Sequence, residues 1–233
     1  MSRDAMQTIG LIGGMSWQST AHYYRIINEE TSARRGGLHS APLIVHSLDF
    51  APIAAMQAAG EWDRAGAELN AAALGLQQVG AQILGLATNT MHVVADSVTK
   101  GLDVPFIHIA DPTADALLAD GYDTIGLLGT RFTMEMDFYK DRLAVRGLDV
   151  LVPEVDRTNL NGIIYEQLCK GIVRDDSRRI YIAAIERLAA RGAQAIILGC
   201  TEIGMLIDDG ISPLPCYDTT DLHARALVGA ALA

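Results

Sequence analysis

The feature that most restricts how this chain can fold is a copy of part of itself. Thr124-Ile125-Gly126-Leu127-Leu128-Gly129-Thr130 matches Thr8-Ile9-Gly10-Leu11-Ile12-Gly13-Gly14 at an offset of 116 residues, and Tyr139 falls on Tyr23 at the same offset. Gly192-Ala193-Gln194 followed by Ala195 to Cys200 matches Gly80-Ala81-Gln82 followed by Ile83 to Thr88 at an offset of 112. Two separate matches at nearly one spacing indicate an internal duplication. The period is too long for a solenoid, whose repeats run about 20–50 residues. Two similar domains are the better reading.

Each half reads as strands alternating with helices. Thr8 to Ile12 is a short apolar, β-branched run, Gly13 to Ser16 a tight turn, and Ser19 to about Arg34 a helix. Leu43 to Ser47 and Gln82 to Leu86 read as further strands, with an Ala-rich helix from about Asp63 to Gln78 and another from about Met91 to Lys100. Beyond Pro105, a strand at Phe106 to His108 leads to Asp111-Pro112, where proline suits the first turn of a helix. Pro213 to Asp218 reads as a strand and crossover, and Asp221 to Ala233 as a last helix returning to the first domain. The expected class is α/β: two pseudo-symmetric domains, each a mostly parallel four-stranded sheet flanked by helices. The expected boundaries are 1–105 plus 218–233 for the first domain and 106–217 for the second.

Composition narrows the partners. With 28 Asp+Glu against 18 Lys+Arg the formal charge is −10, which argues against nucleic acid or an anionic membrane surface. No apolar run approaches the roughly 20 residues of a membrane span, and Met1 to Gln7 lacks a leader's apolar core, so the chain reads as cytoplasmic. Cys169, Cys200 and Cys216 are odd in number and without CxxC spacing, so neither a disulfide framework nor a metal site is expected.

In parallel α/β sheets ligands bind beyond the carboxyl ends of the strands, where backbone N–H groups point outward. Gly14, Thr88, Thr130 and Cys200 all fall at such ends, and the duplication pairs Gly14 with Thr130 and Thr88 with Cys200. A cleft between the domains, lined by four matched turns, would suit a small carboxylate. The Gly10 to Gly14 run lacks dinucleotide spacing and reads equally as a plain tight turn or as a ligand loop. A buried cysteine is usually inert packing, yet Cys200 lies at a strand end before an expected helix, a setting that favours the thiolate. Thr88 taken alone is an N-cap or turn threonine; as the partner of Cys200 it becomes a reactive group, with Asn89 and Thr90 supplying donors. His92, four residues on, is expected to support Thr88 by a hydrogen bond. Glu202 either caps its own helix or meets a substrate ammonium.

Gly10 to Trp17 (GLIGGMSW), Thr88 to His92 (TNTMH), Gly126 to Thr130 (GLLGT) and Gly199 to Glu202 (GCTE) resemble the aspartate/glutamate racemase family over nearly the whole chain. The resemblance implies racemisation of a small acidic amino acid without cofactor or metal, in an interdomain site, and a homodimer. Members typically use two cysteines, one on each face of the substrate. Cys200 matches the second, whereas Thr88 stands in the place of the first, as in a bacterial branch acting on L-aspartate and L-glutamate. On that resemblance Cys200 and Thr88 are the acid/base pair, and Met15, Ser16, Asn89, Thr90, Thr130, Thr201 and Glu202 bind substrate. A neutral hydroxyl is a poor base, so the two directions are expected to be unequal. Cys169, which reads as a structural residue in a helix near Tyr165 and Leu168, stands near where some aspartate racemases carry a lysine. Competing readings keep the fold and change the chemistry, to an arylmalonate decarboxylase, maleate isomerase or hydantoin racemase, or remove it, leaving a binder of acidic metabolites.

Overall fold

The structure is a computed structural model and describes residues 5–233. Met1 to Asp4, part of the stretch read above for a leader, lie outside the described residues. The chain divides into two compact units, the first running to Ile109 and including His223–Ala233, the second spanning Ala110–Leu222.

In the first unit the order is β1 (Ile9–Gly13), α1 (Trp17–Arg35), β2 (Leu43–Ser47), α2 (Phe50–Ala59), α3 (Trp62–Gln78), β3 (Ile83–Leu86), a 3-10 turn at Thr90–Val94, α4 (Ala95–Thr99) and β4 (Phe106–Ile107). All pairings are parallel, in the order β2-β1-β3-β4. The central strands β1 and β3 are buried at every residue, as near-continuous apolar runs in a sheet covered on both faces should be. Alternation sorts β1 between two layers. Ile9 and Leu11 pack with Tyr23, Ile27, Leu227 and Val228, while Ile12 packs with Leu69, Ala73, Leu84 and Leu86. Each such fully buried Ile or Leu contributes roughly 1.5–3 kcal/mol.

The second unit repeats this plan: α5 (Ala110–Ala119), β5 (Thr124–Gly129), α6 (Arg131–Glu135), α7 (Asp137–Ala144), β6 (Asp149–Leu151), α8 (Arg157–Glu166), a 3-10 turn at Leu168–Lys170, α9 (Asp175–Ala190), β7 (Ala195–Gly199), a 3-10 turn at Ile203–Met205 and β8 (Cys216–Asp218). The sheet is again parallel, ordered β6-β5-β7-β8. The two offsets agree with the register: Ile12 opposite Leu86 in the first sheet becomes Leu128 opposite Leu198 in the second. The last helix, α10 (Thr219–Leu232), carries Ala224, Leu227, Val228 and Ala231 into the apolar cluster of the first unit.

Three local expectations need correction. Phe50–Ala59 is a helix that the sequence reading passed over, because its residues are apolar nearly all round and show no 3.6-residue stripe. Asp49 caps it, accepting from Ala51 N at 3.2 Å, and Gly60 ends it in the left-handed region at φ 72°. The helix expected from Met91 to Lys100 is a 3-10 turn followed by one short α-helix. Cys169, expected in a helix, lies in the 3-10 turn after α8.

The order β2-β1-β3-β4 places a topological switch point between β1 and β3. From β1 the chain moves outward to β2, then crosses back to β3 on the other side, so the connections leaving β1 and β3 diverge and open a crevice at their carboxyl ends. In the second unit the same point lies between β5 and β7.

Candidate active site

At the carboxyl end of β1 the chain turns sharply. Gly14 has φ 92°, and a Cβ there would overlap the backbone carbonyl of Leu48, so this turn admits only glycine. Thr20 ties the turn together: its hydroxyl accepts from Gly14 N at 2.7 Å and donates to the Ser16 carbonyl at 2.9 Å. Ser16 caps α1 by accepting from Ser19 N at 3.2 Å. The Ser19 hydroxyl donates to the Ala87 carbonyl at 3.3 Å, which fastens this turn to the end of β3. Met15 is buried in the apolar layer with Ile12, Met56 and Met91.

One residue beyond Ala87 stands Thr88, buried like Asn89, Thr90 and His92 after it. His92 Nδ1 lies 2.8 Å from the Thr88 carbonyl, and Ile109 N–H donates to Nε2 at 3.2 Å. The backbone donor at Nε2 places the ring hydrogen on Nδ1, where it donates to Thr88. The imidazole therefore clamps the backbone of Thr88 to the segment after β4.

In the second unit Gly129 and Gly199 stand opposite one another in the register, so Thr130 and Cys200 leave the sheet side by side. A Cβ on Gly129 would come within 2.8 Å of the Gly199 carbonyl, so the close approach of these strand ends needs glycine. Thr130 caps α6, accepting from Thr133 N at 3.3 Å. Cys200 and Glu202 are 7% and 3% exposed. The Cys200 thiol donates to Glu202 Oε2 at 3.0 Å, and the Thr201 hydroxyl donates to the same oxygen at 2.7 Å. The Cys200 carbonyl accepts from Ile203 N at 3.0 Å.

The thiolate expectation for Cys200 is overturned for this state of the protein. The strand is followed by a turn and a three-residue 3-10 segment, not by an α-helix whose dipole would favour the anion. Burial, then the neighbouring Glu202 carboxylate, then Cys169 push the thiol well above its ordinary range. The sulfur is a protonated donor with an acceptor already in contact. Two further residues stand beside this cluster; the sequence reading took Cys169 as structural and gave Tyr165 no role. Cys169 packs against the same cluster, and burial and then the Glu202 carboxylate push its thiol up. Tyr165 on α8 is pushed up by burial and then by Cys200, Cys169 and Glu202. Nothing in the sequence signals either contact, since 31 residues separate Cys169 from Cys200. Glu202 was readable: laying Thr88-Asn89-Thr90 on Cys200-Thr201-Glu202 puts a carboxylate in the second half alone. Among the described residues no group of three or more His, Cys, Asp or Glu side chains could hold a metal, and no helix is long and apolar enough to cross a membrane.

A family model described as Asp/Glu/hydantoin racemase matches residues 12–227. Among solved structures, a candidate Asp/Glu racemase from Yersinia pestis is 47% identical, covering 98% of this chain and 100% of its own, with a TM-score of 0.91. An aspartate racemase homologue from Pyrococcus horikoshii is 32% identical, covering 97% of this chain and 99% of its own, with a TM-score of 0.82. The broad specificity amino-acid racemase RacX of Bacillus subtilis is 24% identical over 161 residues, 69% of this chain and 70% of its own. These relatives support racemisation of amino acids as the class of reaction. With matching strand order in both halves and a family match across nearly its whole length, the chain belongs to the Asp/Glu/hydantoin racemase family.

Proposed function

We propose that this protein racemises acidic amino acids, aspartate and glutamate, with Cys200 and Thr88 acting on opposite faces of the substrate. The observation that carries the reading is the Cys200 thiol donating at 3.0 Å to a buried carboxylate at the end of β7, the position that the duplication pairs with Thr88. A protonated thiol is no base, and Glu202 supplies what it lacks. The S–H proton passes to Glu202, and the thiolate formed removes the α-proton. The electron pair left on the α-carbon spreads into the α-carboxylate. Donors at the four strand ends, from Ser16, Asn89, Thr90, Thr130 and Thr201, meet the charge that develops there. Met15 shapes the apolar side. The Thr88 hydroxyl delivers a proton to the opposite face and inverts the centre, then takes a proton from water as Glu202 returns its extra proton to solvent, while His92 holds the Thr88 backbone.

The preference for acidic substrates is supported by the family description and by the Yersinia relative; the breadth of RacX sets the range to be screened. The test is exchange of the α-hydrogen with solvent deuterium, followed by proton NMR on both enantiomers of aspartate, glutamate and several neutral amino acids. Full exchange by Cys200→Ser would sink the mechanism. Release of carbon dioxide from a substituted malonate, with no aspartate turnover, would replace the reaction. The homodimer is part of the same proposal, and light scattering at twice the chain's mass is the expected result.

A further inference from the structure

Three imidazoles are buried together in the first unit: His92 in the turn after β3, His108 just after β4 and His223 on α10. The ring centroids of His92 and His108 are 4.4 Å apart, and those of His92 and His223 6.1 Å. His223 Nε2 lies 2.8 Å from the Ile107 carbonyl, which can only accept, so Nε2 carries the ring hydrogen. Nδ1 of the neutral ring then accepts from the Tyr23 hydroxyl at 2.8 Å. His92 bridges in the same way, accepting from Ile109 N–H and donating to the Thr88 carbonyl. Ile107 and Ile109 flank His108, so the segment after β4 is gripped on both sides, and the hydrogen bonds run in one direction from Tyr23 on α1 to Thr88.

The second unit serves as an internal control. Leu84 pairs with Phe106 as Ile196 pairs with Cys216, which lays His108 on Asp218 and His223 on Thr113 at an offset of 110. Asp111, Ala114 and Leu117 recur as Asp221, Ala224 and Leu227 at that offset, while His92 falls on Gly204 and Tyr23 on Tyr139. The same strand order is therefore built without any of the three imidazoles. The seat of His223 differs to match: a Cβ on Gly85 of β3 would lie 3.3 Å from His223 Cε1, and β7 carries Ile197 at that position. Packing of the sheet does not call for the imidazoles, which accompany the hydroxyl end alone. We propose that His223, oriented by Tyr23, is a positioning residue for Thr88, acting through the Ile107 to Ile109 backbone and His92 to fix the hydroxyl that returns the proton. The proposal rests on Thr88 being the proton donor, as read above.

His223→Phe keeps the bulk of the ring and deletes both hydrogen bonds, whereas His223→Gln keeps an N–H that can reach the Ile107 carbonyl. Two rates separate the two faces of the substrate. Inversion of aspartate, followed by polarimetry, needs Thr88. Chloride release from 3-chloroaspartate needs the α-proton removed but none returned, and the enantiomer used is the one whose release Cys200→Ala abolishes. His223→Phe is expected to lower kcat for inversion about tenfold, with KM and chloride release at their wild-type values, and His223→Gln to restore most of the loss. Tyr23→Phe, which removes only the donor to Nδ1, is expected to cost about threefold. Nitrogen-15 NMR of the imidazoles gives a readout independent of activity: His92 carries its hydrogen on Nδ1 in the wild type and in His223→Gln, and becomes a mixture of tautomers in His223→Phe. Should His223→Phe fail to fold by circular dichroism, Tyr23→Phe is read in its place. Wild-type inversion in the folded variant, an equal loss of chloride release, or an unchanged His92 tautomer overturns the positioning role. No racemisation by the wild type, wild-type inversion in Thr88→Ala, or chloride release from both enantiomers undiminished in Cys200→Ala marks failure of the racemase reading itself.

Discussion

Laid on one another by the duplication, Thr88-Asn89-Thr90-Met91-His92 and Cys200-Thr201-Glu202-Ile203-Gly204 occupy the same place in two sheets of the same order, yet differ in chemistry at alternate positions. Where the second unit has a thiol the first has a hydroxyl. Where the second has the carboxylate that accepts from that thiol, the first has Thr90. The supports differ as well. The Thr88 carbonyl is held by the His92 imidazole, whereas the Cys200 carbonyl is held by the Ile203 backbone N–H. At the position of His92 stands Gly204, where a Cβ would lie 2.5 Å from Asp218 Oδ2. A buried sheet constrains every residue of its central strands through packing on two faces, so strand order and register survive divergence of the two halves. The residues just past the strands carry no such constraint. One end carries a thiol with its proton acceptor, and the other a hydroxyl on a backbone held by the His92 imidazole.

The largest effect that would break this asymmetry is in Cys200. Cys200→Ala is expected to lower α-hydrogen exchange by at least about 10²-fold, and Thr88→Ala to spare exchange at the Cys200 face while abolishing inversion; NMR exchange set against polarimetry separates the two. An equal loss of both signals in Thr88→Ala would mean that the ends are not divided in this way. Glu202→Gln should lower kcat about tenfold near neutral pH, and the variant's rate should then climb with pH where the wild type is flat. In the variant the thiol has to ionise to solvent, while in the wild type its proton moves internally. Conversely, Thr88→Cys is expected to bring the two directions toward equality, measured as initial rates from each enantiomer.

Stability tests sharpen the same contrast. His92→Phe removes both backbone clamps in the first unit and is expected to cost about 2–3 kcal/mol in urea unfolding, with inversion impaired more than exchange. The buried thiol of Cys200 adds a pH term whose sign follows from its raised folded-state pKa. Its contribution is fully present below the unfolded thiol value of about 8.5 and is lost as pH rises beyond it, by up to about 1.4 kcal/mol per unit. The urea midpoint should therefore fall between pH 8 and pH 10. Cys200→Ala should show a shallower fall, and an unchanged slope would remove the thiol from the account.

Much of the fold was legible because hydrophobic periodicity is local. The runs at Ile9, Ile83, Thr124 and Ala195 declared themselves as buried strands, and each is one. Phe50–Ala59 was hidden because a helix apolar on all sides has no period to read. The segments after β3 and β7 contain residues that tolerate a helix, and the structure has short 3-10 turns there instead. At the site, the positions of Thr88 and Cys200 could be read from the repeat. The partners of Cys200 could be read only in part, since Glu202 is near it in sequence and Cys169 and Tyr165 are not.

The sequence by itself determined that this chain builds two copies of one parallel α/β plan and that a hydroxyl and a thiol end equivalent strands, because both facts lie in short, repeated strings. Only the tertiary structure decided the state of that thiol. Local reasoning from a helix start pointed toward the anion; burial and the Glu202 carboxylate reverse it, and these depend on charge and solvent exclusion supplied by residues brought together through folding.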